Sequence, residues 1–428
     1  MPRIKILSVC TSDTSGGAAR AAYRIHQGVR GLGVESRMFV KDKRSADDTV
    51  IALSAFVSNN PFYKAFDWVR NKCKNKLQHF RWNRYPQRDR IFMSDLRGTD
   101  LHGALQKLDY DVLHLHWLNL RFVDMDDLKN IRKPIVWTLH DSWQFCGVCH
   151  YFFDCERYKQ QCGCCPILHS DDENDLSHRI WMRKAEVYRN LNIHIVTPSR
   201  WLGQCAKQSG LFGRFPVHVI PNCLDAKVFR PLAVNEFSPR WREFQEKRLE
   251  KPFVLYGAMN AAMDKIKGFA NLLSALKLIE QNGHSDDFEL IVFGANASDL
   301  SIDVNIPIHY VGYISDTNDL VSLYNLASVM VVPSLTEVFG QTASEALACG
   351  TPVVAFNCTG IKEIVEHKVC GYLAEAYEDT DLAKGILWCL ANNAENALGK
   401  AGREKVLQNY TPEVVSRKYV ELYEKVKK

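Results

Sequence analysis

Short apolar runs, each closing on a polar or glycine-bearing loop, recur along this chain. In the first half they are IKILSVC (from Ile4), SRMFV (from Ser36), DVLHLHWL (from Asp111), PIVWTLHD (from Pro134), HIVTPSRW (from His194) and VHVIPNC (from Val217). The second half has PFVLYGA, FELIVFG, IHYVG, VMVVPS, PVVAF and GYLA. Such runs are too short for helices and too uniformly apolar for strands with one wet face, so they predict strands buried on both sides. Between them stand helical patterns, among them AARAAYRIHQGVRGL (from Ala18), FANLLSALKLIEQNG (from Phe269) and TNDLVSLYNLAS (from Thr317). Strands alternating with helices predict parallel sheets wrapped on both faces. The polar, charged segment Pro231–Pro252 has the composition of a linker. The expected architecture is α/β, with two doubly wound Rossmann-like domains facing a cleft. Residues 1–230 form the N-terminal domain, 231–405 the C-terminal domain, and 406–428 a helix that crosses back to the N-terminal domain. Two features interrupt the first domain: a basic insertion at 58–98 and a cysteine-rich loop at 146–166.

At 428 residues, 46% hydrophobic and 24% charged, the composition is that of a protein able to bury large cores. A net charge of +5 gives no case for nucleic acid. No run approaches the length of a membrane span. The N-terminal apolar run reads as a buried strand and not a signal peptide, so the expected location is cytoplasmic, with the inner face of the plasma membrane as a further expectation.

In doubly wound sheets, ligands sit beyond the carboxyl ends of strands, which directs attention to PSLTEVFGQTASEALACGTPVVAF, Pro333–Phe356. Glu337 stands in the loop after a strand, Gly340 where a helix begins, and Glu345 within that helix. A helix amino end favours an anion such as a diphosphate, and a glycine there lets it approach closely. Carboxylates on either side can accept hydrogen bonds from sugar hydroxyls, so the spacing suits a nucleotide-diphosphate sugar. Glutamate near a helix start is also ordinary dipole compensation. Gly16 and Gly17, in TSDTSGGAAR after the first strand, read equally as a ligand-facing loop or a tight turn.

The whole string resembles the signature of retaining glycosyltransferases of the GT-B fold, family-4 type: a glutamate, seven residues and a second glutamate, within E-x-F-G-x-x-x-x-E-A-x-A-x-G-x-P-V-V. VIPNCLDAKVFRP resembles the family's segment at the domain junction, with Cys223 in place of its usual glycine. TSGGAAR and GYISDTNDLVSLYNLASVMVVPS resemble further family segments, and with WTLHDSWQF…CHYFFDC…CGCCP the chain looks most like bacterial enzymes of capsule, exopolysaccharide (colanic-acid-type) or O-antigen assembly. The resemblance implies hexosyl transfer from a nucleotide-diphosphate sugar to a glycan or lipid-linked acceptor. It implies that Glu345 binds the ribose and Glu337 the transferred sugar, with the backbone of Phe339, Gly340 and Gln341 facing sugar and diphosphate. Lys267 would neutralise the leaving diphosphate, and His140 would lie near the reacting sugar. The family pairs that lysine with an upstream arginine; YGAMNAAMDKIKG has none, leaving Lys265 as the other nearby cation. No catalytic metal is implied. A nucleotide-sugar isomerase or hydrolase on the same fold, and a zinc-containing binding protein, are the alternatives.

Six cysteines lie between Cys146 and Cys165. Cys146, Cys149, Cys162 and Cys165 have zinc-ribbon spacing; by the family resemblance the set is Cys149, Cys155, Cys162 and Cys165, as a structural zinc site. A reduced, metal-free loop is the other reading. Between Phe62 and Arg90 nine Lys and Arg, interleaved with aromatics, face only Asp67 and Asp89. This fits solvated helices, and also a surface lying on anionic lipid. TPEVVSRKYVELYEKVKK predicts a helix capped by Thr411 with Val414, Val415, Tyr419, Leu422 and Tyr423 on its apolar face.

Overall fold

The computed structural model describes residues 4–56, 81–89, 101–248, 250–257, 264–296 and 303–427, together with Lys72, Lys76 and Gly98. Most of the basic stretch at 58–98 lies outside the described residues, and with it the expected lipid-facing surface. No helix among the described residues is long and apolar enough to cross a membrane. The chain forms two compact units, Met1–Ile220 with Ser416–Lys428, and Pro221–Val415.

The first unit carries β1 (Lys5–Ser12), α1 (Gly17–Gly31), β2 (Glu35–Asp42), β3 (Val50–Ala52), α2 (Leu101–Leu105), β4 (Val112–Leu115), β5 (Ile135–Thr138), α3 (Leu176–Tyr188), β6 (Ile193–Thr197), α4 (Arg200–Gln208) and β7 (Val217–Val219). Its seven strands run in the order β3-β2-β1-β4-β5-β6-β7, every pair parallel. The strand order reverses between β1 and β4, which pair Ile6 with Val112 through Val9 with Leu115. The loops after these two strands therefore diverge to opposite faces and leave a crevice at their carboxyl ends.

The second unit carries α5 (Arg242–Arg248), β8 (Phe253–Gly257), α6 (Phe269–Gln281), β9 (Glu289–Phe293), β10 (Ile308–Gly312), α7 (Thr317–Leu326), β11 (Val329–Val332), α8 (Gln341–Ala348), β12 (Val353–Phe356), β13 (Gly371–Ala374), α9 (Asp379–Asn392) and α10 (Ala397–Asn409). Its sheet runs β10-β9-β8-β11-β12-β13, again parallel throughout, with the reversal between β8 and β11. Alternate residues serve two cores. Phe253, Leu255, Met330 and Val332 pack with Leu323 of α7 and Leu347 of α8. Val254, Tyr256, Val329 and Val331 pack with Leu276 of α6 and Ile386 of α9. Both faces of the central strands β8, β11 and β12 are dry, which is why the sequence shows continuous apolar runs and no alternation there.

The segment expected to be a linker is part of the second unit. Phe229 and Trp241 are buried in its core, with Leu232 and Phe237 packed against them. The junction lies between Ile220 and Pro221, ten residues before the expected boundary. The last helix, α11 (Pro412–Lys427), starts in the second unit and from Ser416 onward belongs to the first. Val415, Tyr419, Leu422 and Tyr423 are buried along it. The Tyr423 hydroxyl lies 2.6 Å from His114 Nδ1 of β4, and the Tyr419 hydroxyl 3.1 Å from Thr138 Oγ1 of β5.

Candidate active site

In the second unit, the chain segments leaving β8 and β11 flank the reversal of strand order. On the β8 side, the described residues carry a 3-10 turn, Lys265–Lys267, that leads to Gly268 and α6. Gly268 has φ of 68°, and a Cβ there would sit 1.8 Å from the Pro333 carbonyl oxygen. Only glycine permits this backbone and this approach. The contact is reinforced by the Leu335 N–H donating to the Ile266 carbonyl at 2.8 Å. With the two loops locked together, Lys267 Nζ reaches Glu337 Oε1 at 2.6 Å. Both side chains are mostly buried, 22% and 16% exposed, so this pair is screened far less than a surface ion pair.

Glu337 is further fixed from two directions. Ser334 Oγ donates to its Oε1 at 3.3 Å. The loop after β12 folds back on it: the Glu337 N–H donates to Thr359 Oγ1 at 3.0 Å, and the Gly360 N–H to the Glu337 carbonyl at 2.8 Å. Three residues on, Gly340 has φ of 95° and precedes α8, whose amino end carries no side-chain cap. That end presents the positive pole of the helix to whatever lies before it. Phe339 is buried and its ring packs edge-on against Tyr410 at 5.5 Å, so its side chain belongs to the core and its backbone to the loop. Glu345, 5% exposed, lies one turn into α8 and accepts from the buried Tyr324 hydroxyl at 3.2 Å. Lys265 is exposed on the turn that carries Lys267.

This much brings Lys267, Glu337, Gly340, Gln341 and Glu345 onto two adjoining loops and one helix end. A cation paired to a carboxylate, beside an uncapped helix start, can bind a diphosphate: the lysine exchanges its carboxylate partner for phosphate, and the helix end takes the rest of the charge. Residues 15–228, half of the chain, match the model of "Glycosyltransferase Family 4", and residues 237–405 match that of "Glycosyl transferases group 1". The chain belongs to glycosyltransferase family 4.

The protein WcaC of Escherichia coli K12, named as a colanic acid biosynthesis glycosyl transferase, is 28% identical over 295 residues, 65% of this chain and 68% of that one. The uncharacterized glycosyltransferase MJ1607 of Methanocaldococcus jannaschii is 24% identical over 344 residues, covering 78% and 80%. Among solved structures, Anabaena Alr3699/HepE in complex with UDP-glucose superposes with a TM-score of 0.65 at 16% identity, covering 99% of this chain and 100% of that one. Sucrose-phosphate synthase of Thermosynechococcus elongatus gives 0.63 at 20% identity, covering 99% of both. The family-4 chain is thus a glycosyltransferase with the GT-B α/β fold.

In the first unit of this glycosyltransferase, Gly16 (φ of 91°) and Gly17 open α1. The loop before them is held by Asp13, whose carboxylate accepts from the backbone N–H groups of Arg44 and Ser45. His140 follows β5 and is buried; its Nε2 lies 3.1 Å from His116 Nδ1. Burial pushes the His140 imidazole down to about 4, so it is neutral near pH 7. Its neighbour Asp141 accepts from Trp117 Nε1 at 2.8 Å, the Trp143 N–H at 3.0 Å and His150 Nδ1 at 2.5 Å. Burial alone would raise that carboxyl, but His150 and the two N–H donors outweigh it and hold it below its usual range.

The expected zinc ligands Cys149, Cys155, Cys162 and Cys165 line one small cavity together with Cys146. They converge, yet among the described residues no group of three or more Cys, His, Asp or Glu is arranged to hold a metal ion. What organises the loop in the structure is Lys184. Fully buried, it donates to the carbonyls of Trp143, Cys146 (2.8 Å) and Gly147 (3.0 Å), and lies over the Trp143 ring.

Sequence reasoning missed Ser334, Thr359 and Tyr324, which orient the two glutamates, and His116, which contacts His140. Thr359 carries a faint signal, standing before a glycine in the loop after β12. The others are ordinary residues whose role depends on what tertiary folding sets beside them.

Proposed function

We propose that this enzyme is a retaining glycosyltransferase of surface polysaccharide biosynthesis, moving a hexosyl group from a nucleotide-diphosphate sugar to a glycan or lipid-linked acceptor. The observation that carries the reading is the Lys267–Glu337 pair at the switch point of the second sheet, beside the uncapped start of α8. In this reading Glu345 takes the ribose hydroxyls, and the backbone of Phe339, Gly340 and Gln341 lines the diphosphate and sugar. Glu337 takes the transferred sugar, and Lys267, with Lys265 near it, neutralises the leaving diphosphate. His140 is assigned to the reacting sugar by family resemblance. The bond between the anomeric carbon and the phosphate oxygen breaks, its electron pair leaving on the diphosphate. The acceptor oxygen bonds to the same face, and its proton passes to the departing phosphate. Support for the donor class comes from the HepE structure with UDP-glucose, and for the polysaccharide setting from the colanic acid name of WcaC.

The test is turnover of a panel of UDP-, GDP-, ADP- and dTDP-sugars by wild type and Lys267→Ala, with product anomers read by NMR. Removing a cation that stabilises the leaving charge is expected to lower kcat by roughly a hundredfold or more. Turnover of no donor by wild type, or an inverted anomer, would refute the respective part of the reading. Release of free sugar regardless of acceptor would favour the hydrolase.

A further inference from the structure

In the first sheet, the end of β1 and the loop after β4 meet at the reversal of strand order. The Thr11 N–H donates to the Trp117 carbonyl at 2.8 Å, and Thr11 Oγ1 contacts the carbonyls of Trp117 and Asn119, each at 3.0 Å. Asn119 is 1% exposed, and both polar atoms of its side chain, Oδ1 and Nδ2, are buried without a hydrogen-bond partner among the described residues. An amide with neither donor nor acceptor satisfied is unfavourable in a protein interior. The next two residues add to the strain: Leu120 and Arg121 are both left-handed, with φ of 57° and 60°. Neither is glycine, asparagine or aspartate, the residues that tolerate this conformation. Three positions before Asn119, the buried His116 Nε2 also has no partner among the described residues.

We propose that Asn119 reads a hydroxyl group of the acceptor sugar at the switch point of the first sheet, and so is a specificity-determining residue; this rests on the transferase reading above. The chemistry of the amide selects the ligand. A carboxylate or phosphate would satisfy Nδ2 and be repelled by Oδ1, and an ammonium the reverse. A hydroxyl, or a vicinal pair, donates to one atom and accepts from the other. Trp117, two residues earlier and partly exposed, has its indole N–H engaged by Asp141, which fixes an aromatic face on the same loop. Leu120, 48% exposed and left-handed, is the next residue, and admitting a hydroxyl to the buried amide requires this segment to move.

The experiment compares wild type, Asn119→Ala and Asn119→Ser in three readouts: thermal midpoint, donor hydrolysis without acceptor, and transfer to the methyl glycosides of glucose, galactose, mannose and fucose. Replacing an unsatisfied buried amide by a methyl group is expected to leave the midpoint unchanged or raise it. Donor hydrolysis should stay within about twofold. Transfer to the best glycoside should fall about tenfold or more in kcat/KM with alanine, and less with serine, which keeps a hydroxyl. A lowered midpoint with transfer intact would make Asn119 structural and overturn the proposal. So would an equal loss of hydrolysis and transfer, or a wild type that hydrolyses donor but glycosylates none of the glycosides. A wild type that turns over no donor would instead fail the transferase reading itself.

Discussion

Replacing Gly268 with alanine should disable the second unit's site without touching any residue that holds a ligand. Two penalties apply. The left-handed backbone costs an alanine about 1–2 kcal/mol. The new Cβ would lie 1.8 Å from the Pro333 carbonyl oxygen, where side-chain contacts do not come under 3.0 Å, so the loops after β8 and β11 must part by roughly 1.2 Å. That movement breaks the Leu335–Ile266 hydrogen bond, worth about 1 kcal/mol, and pulls Lys267 away from Glu337. The sum is roughly 2–3 kcal/mol, which for a unit of this size lowers the melting midpoint by about 4–12 °C. Gly283 supplies the control. It too is left-handed, at φ of 82°, but a Cβ there meets nothing within 4 Å. Gly283→Ala should therefore cost only the backbone term and leave turnover intact, while Gly268→Ala loses both stability and most donor turnover. Calorimetry and initial rates on the two variants decide it. Equal stability and equal activity would show that the Pro333 contact does not position the site.

Two further outcomes are expected. Tyr324→Phe removes a buried donor to Glu345, so stability should fall by about 1–2 kcal/mol and nucleotide affinity several-fold, read by urea denaturation and by titration with the nucleoside diphosphate; an unchanged affinity would separate Tyr324 from the site. Burial holds His26 and His140 down to about 4 and His114 down to about 3, from an ordinary 6.5. The unfolded chain takes up these protons near pH 6.5 and the folded chain only near pH 4 or below. Stability of the first unit is then full above pH 6.5 and declines as pH falls toward 4, by up to about 1.4 kcal/mol per pH unit for each histidine. Urea midpoints that stay level between pH 7 and 5 would contradict this.

The strands were legible because residues such as those of β8 and β11 are dry on both faces, and a run of consecutive apolar side chains has few other uses. β3 escaped notice: three residues at a sheet edge carry too little pattern. The ten-residue offset between the expected junction and the start of the second compact unit has a physical cause as well. Polar composition marked 231–252 as a linker, but Trp241 is buried and Leu232, Phe237 and Phe244 pack against the second unit's core, and composition averages over them. At the site, the helix start at Gly340 could be read locally, whereas the pairing of Lys267 with Glu337 joins residues 70 positions apart. The family resemblance supplied both residues, and no spacing rule supplied their contact. Asn119 was invisible in the sequence for a related reason, since being unsatisfied is a property of the folded surroundings and not of the residue.

In the proposed function the second unit binds the nucleotide-diphosphate donor through Glu345 and the loop that ends at Gly340. The measurement that tests it most directly is calorimetric titration of wild type and Glu345→Ala with UDP, GDP, ADP and dTDP. Wild type is expected to bind one of these saturably, with affinity weakened by roughly tenfold or more when a carboxylate that accepts the ribose hydroxyls is removed; the unliganded variant should melt a few degrees lower, because the buried Tyr324 hydroxyl loses this acceptor, while remaining folded at the titration temperature. Equal affinity in the two proteins, or no binding of any of the four by wild type, would contradict it.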